Sequence, residues 1–137
     1  MYERLLVALD HSEVAPRVIA AAKDLACLSK GTVWVLHIRE REFGRLGLTP
    51  SEPDEEAQAA VGEGVDALMQ AGVDAQGEMR EAIFGHAAQE IVKDAREHDA
   101  DVIIMGSRGR SDLAGLVLGS TAHKVIHLSD RPVLVVR

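Results

Sequence analysis

Short runs of branched apolar residues recur along this chain, separated by stretches with helical spacing, and this alternation restricts the fold more than any other feature. Leu5-Leu6-Val7-Ala8-Leu9 has no polar position, nor does Val102-Ile103-Ile104-Met105, and Val133-Leu134-Val135-Val136 lies near the end. A strand with no polar side is covered on both faces, as in a parallel sheet flanked by helices. Thr32 to Ile38, rich in β-branched residues, gives a second strand. Val73, Ala75, Gly77 and Met79 alternate with Asp74, Gln76, Glu78 and Arg80, the pattern of a strand near a sheet edge.

Between these runs the period changes to that of a helix. From Ser12 onward, Val14, Val18, Ile19, Ala22, Leu25 and Ala26 share one face, with Ser12 or Asp10 as the expected cap and Lys30-Gly31 as the stop. Asp54 to Ala71 places Ala57, Val61, Val65, Leu68 and Met69 together, weakened by Gly62 and Gly64 at about 1 kcal/mol each. Phe84, Ala88, Ile91, Val92 and Ala95 define a third helix between Gly85-His86 and His98-Asp99. Ala122, Val125, Ile126 and Ser129 define a fourth, which Arg131-Pro132 ends. Arg39 to Pro53 has charges, two glycines and two prolines but no sustained period, and reads as a long surface loop. Five strands alternating with four helices predict an α/β fold, one open parallel sheet with helices on both faces and right-handed crossovers.

The chemistry concentrates after the fourth strand, in Gly106 to Thr121. Glycines at 106 and 109 permit close backbone approach, and Gly119-Ser120 opens a helix whose first N–H groups lack intrahelical partners. Such a helix start favours anions, phosphate above all. Arg108 and Arg110 add local positive charge to a chain of net charge −7. Gly106, Gly109, Gly119 and Ser120 follow the spacing Gly, two residues, Gly, nine residues, Gly and Ser or Thr. In this the sequence resembles the nucleotide-binding branch of the universal stress protein family. The resemblance extends to Leu5 through Asp10, to His37-Ile38 and to Arg131 through Val136, nearly the whole chain.

The resemblance implies one domain over residues 1 to 137, a Rossmann-like fold of the adenine nucleotide alpha hydrolase type with strand order 3-2-1-4-5. The residues alone leave the order 2-1-3-4-5 open. The family's order brings Asp10 and Met105-Gly106 side by side where the strand order reverses, the usual ligand position in open α/β sheets. Carried over by position, Asp10 and Ile38 contact the nucleoside, and Met105 packs near base or ribose. Gly106 and Gly109 admit the phosphates, Gly119, Ser120 and Thr121 bind them, and Ala8, Leu9 and Arg108 complete the set. The implied ligands are ATP or another adenine nucleotide, with Mg²⁺ or Mn²⁺ bridging the phosphates. The implied partner is a second copy joined through Val133, Leu134, Val135 and Val136, an edge strand that would otherwise stand open. Thr121 departs from the usual small residue at its position.

The acidic balance argues against nucleic acid or an anionic membrane as general partners, and no run approaches a membrane span. The N-terminal apolar run stops at Asp10, too early for a signal peptide, and Cys27 is the lone cysteine, which fits a reducing, cytoplasmic setting. GxxxxGK[ST] and GxGxxG are both absent. A phosphoacceptor receiver domain would need more acidic residues at its strand ends than Asp10 supplies. No residue is assigned a catalytic or a dedicated metal-binding role. His123 and His127 are spaced i, i+4 but face solvent without a third ligand, and Cys27 lies on the polar side of its helix. His11, at the mouth of the expected site, is open between ligand contact and plain loop residue. The function expected is a nucleotide-responsive regulator or sensor in stress response. A slow ATPase or self-phosphorylating protein is the enzymatic alternative, with Asp10, His11 and Arg108 its only local candidates. A nucleotide-free dimeric scaffold is the third.

Overall fold

A computed structural model describes residues 1–107 and 118–137. Its elements, in order, are β1 (Arg4–Leu9), α1 (Ala15–Ser29), β2 (Thr32–Gly44), β3 (Gly47–Pro50), α2 (Asp54–Gln70), β4 (Ala75–Ile83), α3 (Ala87–Glu97), β5 (Val102–Gly106), α4 (Ser120–Leu128) and β6 (Val133–Val136). Five parallel strands lie in the order β4-β2-β1-β5-β6. Numbered without the short β3, that is the 3-2-1-4-5 order.

Alternate side chains of the central strands enter two separate cores. Leu5, Val7, Leu9, Val33 and Val35 pack with Val18, Ala22 and Ala26 of α1 and with Val61 and Leu68 of α2. On the other face, Leu6, Leu36, Ile103 and Met105 pack with Ala88, Ile91, Val92 and Ala95 of α3 and with Ala122 and Val125 of α4. Continuous apolar strands are thus what a sheet with helices on both faces requires. Three residues expected on inward helix faces lie outside instead: Met69 is 58% exposed, Phe84 62% and Ile126 46%. Met69 and Ile126 lie in the last turns of their helices, whereas Phe84 precedes α3 altogether and continues from β4, its N–H donating to Arg41 O.

Of the two glycines in α2, one serves close contact. A Cβ on Gly64 would meet Leu9 Cδ1 at 2.8 Å and Val35 Cγ1 at 3.3 Å, so α2 approaches the sheet there, whereas Gly62 faces open space. The helix-propensity cost at Gly64 is offset by that approach; at Gly62 it is not.

The Arg39 to Pro53 segment differs most from expectation. β2 continues to Gly44, turns at Gly47 with φ 98°, and pairs antiparallel with β3, Arg41 opposite Pro50 and Phe43 opposite Leu48. β4 follows the other edge of β2 as far as Arg41, opposite Ile83. The extension escapes a hydrophobic reading because it carries no buried face: residues 42–50 are all exposed. Charge pairing across strands supports it, Arg39 Nη2 donating to Glu81 Oε1 at 2.5 Å and Arg41 pairing with the same carboxylate. Hydrogen bonds from Arg39 and then Arg41 hold the Glu81 carboxyl below its ordinary range.

The start of α1 also departs from expectation. Asp10 Oδ1 accepts the Ser12 N–H at 2.9 Å, a turn closed on itself, and α1 begins only at Ala15 without a side-chain cap. Pro16 in the first turn explains the delay, since proline favours that position and supplies no N–H for a cap to accept. At the other end, Lys30 takes the left-handed conformation, and Gly31 is needed where a Cβ would lie 2.8 Å from the carbonyls of Tyr2 and Glu3.

A closed polar network fastens α3 to the sheet. Asp94, fully buried, accepts from Trp34 Nε1 at 2.9 Å and from Arg80 Nη1 at 2.7 Å, and Arg80 also reaches Glu97 at 2.7 Å. The His98 ring stacks on Trp34 with centroids 3.8 Å apart. Burial opposes the Arg80 charge, but the bonds to Asp94 and Glu97 outweigh it and its pKa is raised. Burial, then the neighbouring Asp94, push the Glu78 carboxyl upward.

Candidate functional site

The strand order reverses between β1 and β5, where Ala8 stands opposite Met105. The chain leaves β1 toward the β2 side and leaves β5 toward the β6 side, so the connections diverge and a crevice opens beyond the carboxyl ends. A cleft of about 490 Å³ occupies that position, within the usual range for small-molecule sites.

Eight residues singled out from the sequence line this cleft: Ala8, Leu9, Asp10, Ile38, Met105, Gly106, Ser120 and Thr121. Ala8 and Leu9 end β1 and Asp10 follows it, Met105 and Gly106 end β5, the first turn of α4 supplies Ser120 and Thr121, and Ile38, expected at the end of its strand, lies midway along the longer β2. Gly119 stands behind them, its N–H donating to Ser107 O at 2.5 Å and its carbonyl accepting the His123 N–H at 3.0 Å. The first bond ties the start of α4 to the residue after β5, and the second opens the helix's own ladder. Arg108, Gly109 and Arg110 lie outside the described residues. The lining is chemically divided. Leu36, Ile38, Met105 and Ile91 offer an apolar surface fit for a flat ring, whereas Asp10, Ser120 and Thr121 offer polar groups. Asp10 keeps its second carboxylate oxygen free of the Ser12 turn. The first N–H groups of α4 lie outside its own ladder and favour negative charge nearby.

Sequence reasoning left one group at this mouth without a role. His37 is buried on β2, with Nδ1 donating to Leu9 O at 2.8 Å and Nε2 on Glu52 Oε1. His11 Nε2 meets the other oxygen, Oε2, at 2.6 Å, and the two imidazole rings stand edge to face, centroids 4.9 Å apart. Glu52, 7% exposed, reaches the cleft because the β2–β3 hairpin folds back, the Ser51 N–H donating to Glu40 O at 2.8 Å. His37 carried a signal, a lone polar residue inside an apolar run; Glu52, in a stretch without a period, carried none. Elsewhere, His123, His127 and Cys27 are exposed as expected. Among the described residues no helix is long and apolar enough to cross a membrane.

Comparison with known proteins places this architecture. The universal stress protein YxiE of Bacillus subtilis is 36% identical over 148 residues, covering 100% of both chains. The structure of the Methanocaldococcus jannaschii protein MJ0577 superposes with a TM-score of 0.82 at 29% identity, over 99% of this chain and 96% of that one. A universal stress protein of Archaeoglobus fulgidus, solved in complex with dAMP, gives a TM-score of 0.75 at 25% identity, over 99% and 98% of the two chains. Residues 1–137 match the universal stress protein family from end to end, and the chain belongs to that family.

Proposed function

We propose that the protein binds ATP or another adenine nucleotide in this cleft and acts as a nucleotide-responsive regulator in stress response. The observation that carries the reading is the crevice itself. An apolar surface from β2 and β5, the Asp10 carboxylate and the start of α4 converge on one volume at the strand-order reversal. The base is expected against Ile38 and Met105, the ribose hydroxyls toward Asp10, and the phosphates toward Ser120, Thr121 and the segment containing Arg108 and Gly109. The dAMP complex of the Archaeoglobus fulgidus relative supports the same ligand class. Mg²⁺ or Mn²⁺ would enter with the phosphates and neutralise their charge.

Calorimetric titration of nucleotide-stripped protein with ATP and Mg²⁺ tests the reading, beside a Thr121→Glu variant. A carboxylate in the first turn stabilises a helix start but repels phosphate. Saturable binding by the parent and its loss in a folded Thr121→Glu protein are expected; equal binding by both would move the phosphates elsewhere, and no binding at millimolar ATP would overturn the reading.

The same proposal includes a cytoplasmic single-domain protein that pairs through β6. Among the described residues β6 has a neighbour only on its β5 side, and Leu134 is 40% exposed. An open edge of this kind is usually paired or covered. Sedimentation is expected to show a dimer that Val135→Pro dissociates; a monomeric parent would remove this part.

A further inference from the structure

Three donor side chains converge at the cleft mouth, and no lysine or arginine among the described residues joins them. Glu52 presents one carboxylate oxygen to His37 and the other to His11, and the ligand-type atoms of all three lie within 4.8 Å of one another. The carbonyl of Leu9 can only accept, so the hydrogen of His37 is on Nδ1, and Nε2 turns toward Glu52. A lone pair facing a carboxylate oxygen needs a positive centre between them, a proton or a metal ion. Among the described residues no lysine or arginine lies within ion-pair distance of Glu52; nearby Arg39 is held by Glu81 and Asp54.

From this geometry we infer that His11, His37 and Glu52 form a binding site for a divalent transition-metal ion of the zinc class. Two imidazoles and one carboxylate are a donor set such ions accept, with a further position left open. The bond from His37 Nδ1 to a backbone carbonyl is the outer support that orients a metal-ligating imidazole. A tetrahedral ion with bonds of about 2 Å spaces its donors roughly 3.3 Å apart, so the Glu52 carboxylate withdraws from each imidazole by about 1 Å or less on binding. All three line the cleft, and the open position faces its interior, where water or an oxygen of a bound ligand completes the shell. Two of the three ligands are buried, and the hairpin brings Glu52 within reach. The site is separate from an ion carried in with nucleotide phosphates and does not depend on the nucleotide reading. Another three-donor group among the described residues, Glu78, Asp94 and His98, already holds the Arg80 guanidinium.

The test uses the metal alone. Chelator-stripped, nucleotide-free protein carrying His123→Ala and His127→Ala, which removes the exposed histidine pair, is titrated with Zn²⁺ by calorimetry and with Co²⁺ by visible absorption. One equivalent is expected, with the intense d–d bands of low-coordinate Co²⁺. Affinity should fall by more than about tenfold in His11→Ala and again in Glu52→Gln, each checked for fold by circular dichroism. His11 is partly exposed and Glu52 sits after an exposed hairpin, so both variants should fold. Absence of saturable binding, or binding unchanged in both variants, overturns the inference and leaves protons as the bridges. A parallel ATP titration keeps the two readings apart: ATP binding without metal binding defeats this one only, and metal binding without ATP binding defeats only the nucleotide reading.

Discussion

Two clusters of carboxylate and imidazole lie among the described residues, and they differ in what neutralises them. Around Asp94, the Arg80 guanidinium and the Trp34 indole N–H occupy both carboxylate oxygens, and His98 is stacked on Trp34. Around Glu52, both oxygens face imidazole nitrogens and no guanidinium joins them among the described residues. The first cluster joins α3 to β2 and β4 and is complete within the chain. The second joins β2 and the turn after β1 to the residue that follows the hairpin, and among the described residues it holds no guanidinium. Donor type alone therefore says little about a metal site; the presence of a resident cation decides.

Removing a carboxylate from each cluster should expose that difference most strongly. Asp94→Ala leaves Arg80 and Trp34 without their acceptor in a buried place, and a loss of about 3–5 kcal/mol is expected in urea unfolding. Glu52→Gln, in metal-free protein, should cost about 1 kcal/mol, since it follows an exposed hairpin and keeps its polar contacts. Equal costs would dissolve the distinction.

The next largest effect is a ligand one. Zn²⁺ at one hundred times its dissociation constant should stabilise the parent by about 2.7 kcal/mol in the same assay, stabilise Glu52→Gln by less than about 1.4 kcal/mol, and be reversed by chelator. Arg80→Met empties the Asp94 cluster of its cation, and Zn²⁺ should then recover part of the stability lost; no recovery would mean that Glu78, Asp94 and His98 cannot rearrange around an ion.

The smallest effect concerns pH. The native Glu78 pKa is raised by burial and Asp94, so its ionised form is disfavoured in the folded state. Glu78→Gln should therefore raise stability modestly at pH 7. That gain should fade as the pH falls from the raised native value to the ordinary glutamate value of about 4.3, where both states are protonated in the parent. A gain that grows on acidification would reverse the assigned sign.

Much of the fold was legible because burial writes itself into apolar periodicity. Leu5 to Leu9 and Val102 to Met105 read as doubly covered strands, and both cores contain them. Gly119, Ser120 and Thr121 pointed to a helix start, and the helix begins at Ser120. The order of the strands needed the family resemblance, since contacts between Leu5 and Val102 leave no local pattern. The end of β2 was illegible for the opposite reason: Arg39 to Gly44 is strand stabilised by backbone pairing and charge, without apolar burial to mark it. Asp10 and Ser12 looked like helix caps because the same side-chain bond serves a cap or an isolated turn, and Pro16 decided between them. Glu52 could not be found without the hairpin, its partners being 15 and 41 residues away in sequence, as the numbers of His37 and His11 show.

The hairpin has one further implication, for how this protein can diverge. Residues 42–50 are exposed and contribute nothing to either core, so substitutions, insertions and deletions between them escape the packing constraints that govern the rest of the sheet. Selection can act there through Glu42, which lines the cleft, and through the placement of Glu52, by way of the Ser51–Glu40 bond that returns the chain to the cleft. A lineage could therefore gain, retune or discard that carboxylate by drift in a surface ribbon while the five parallel strands stay as they are.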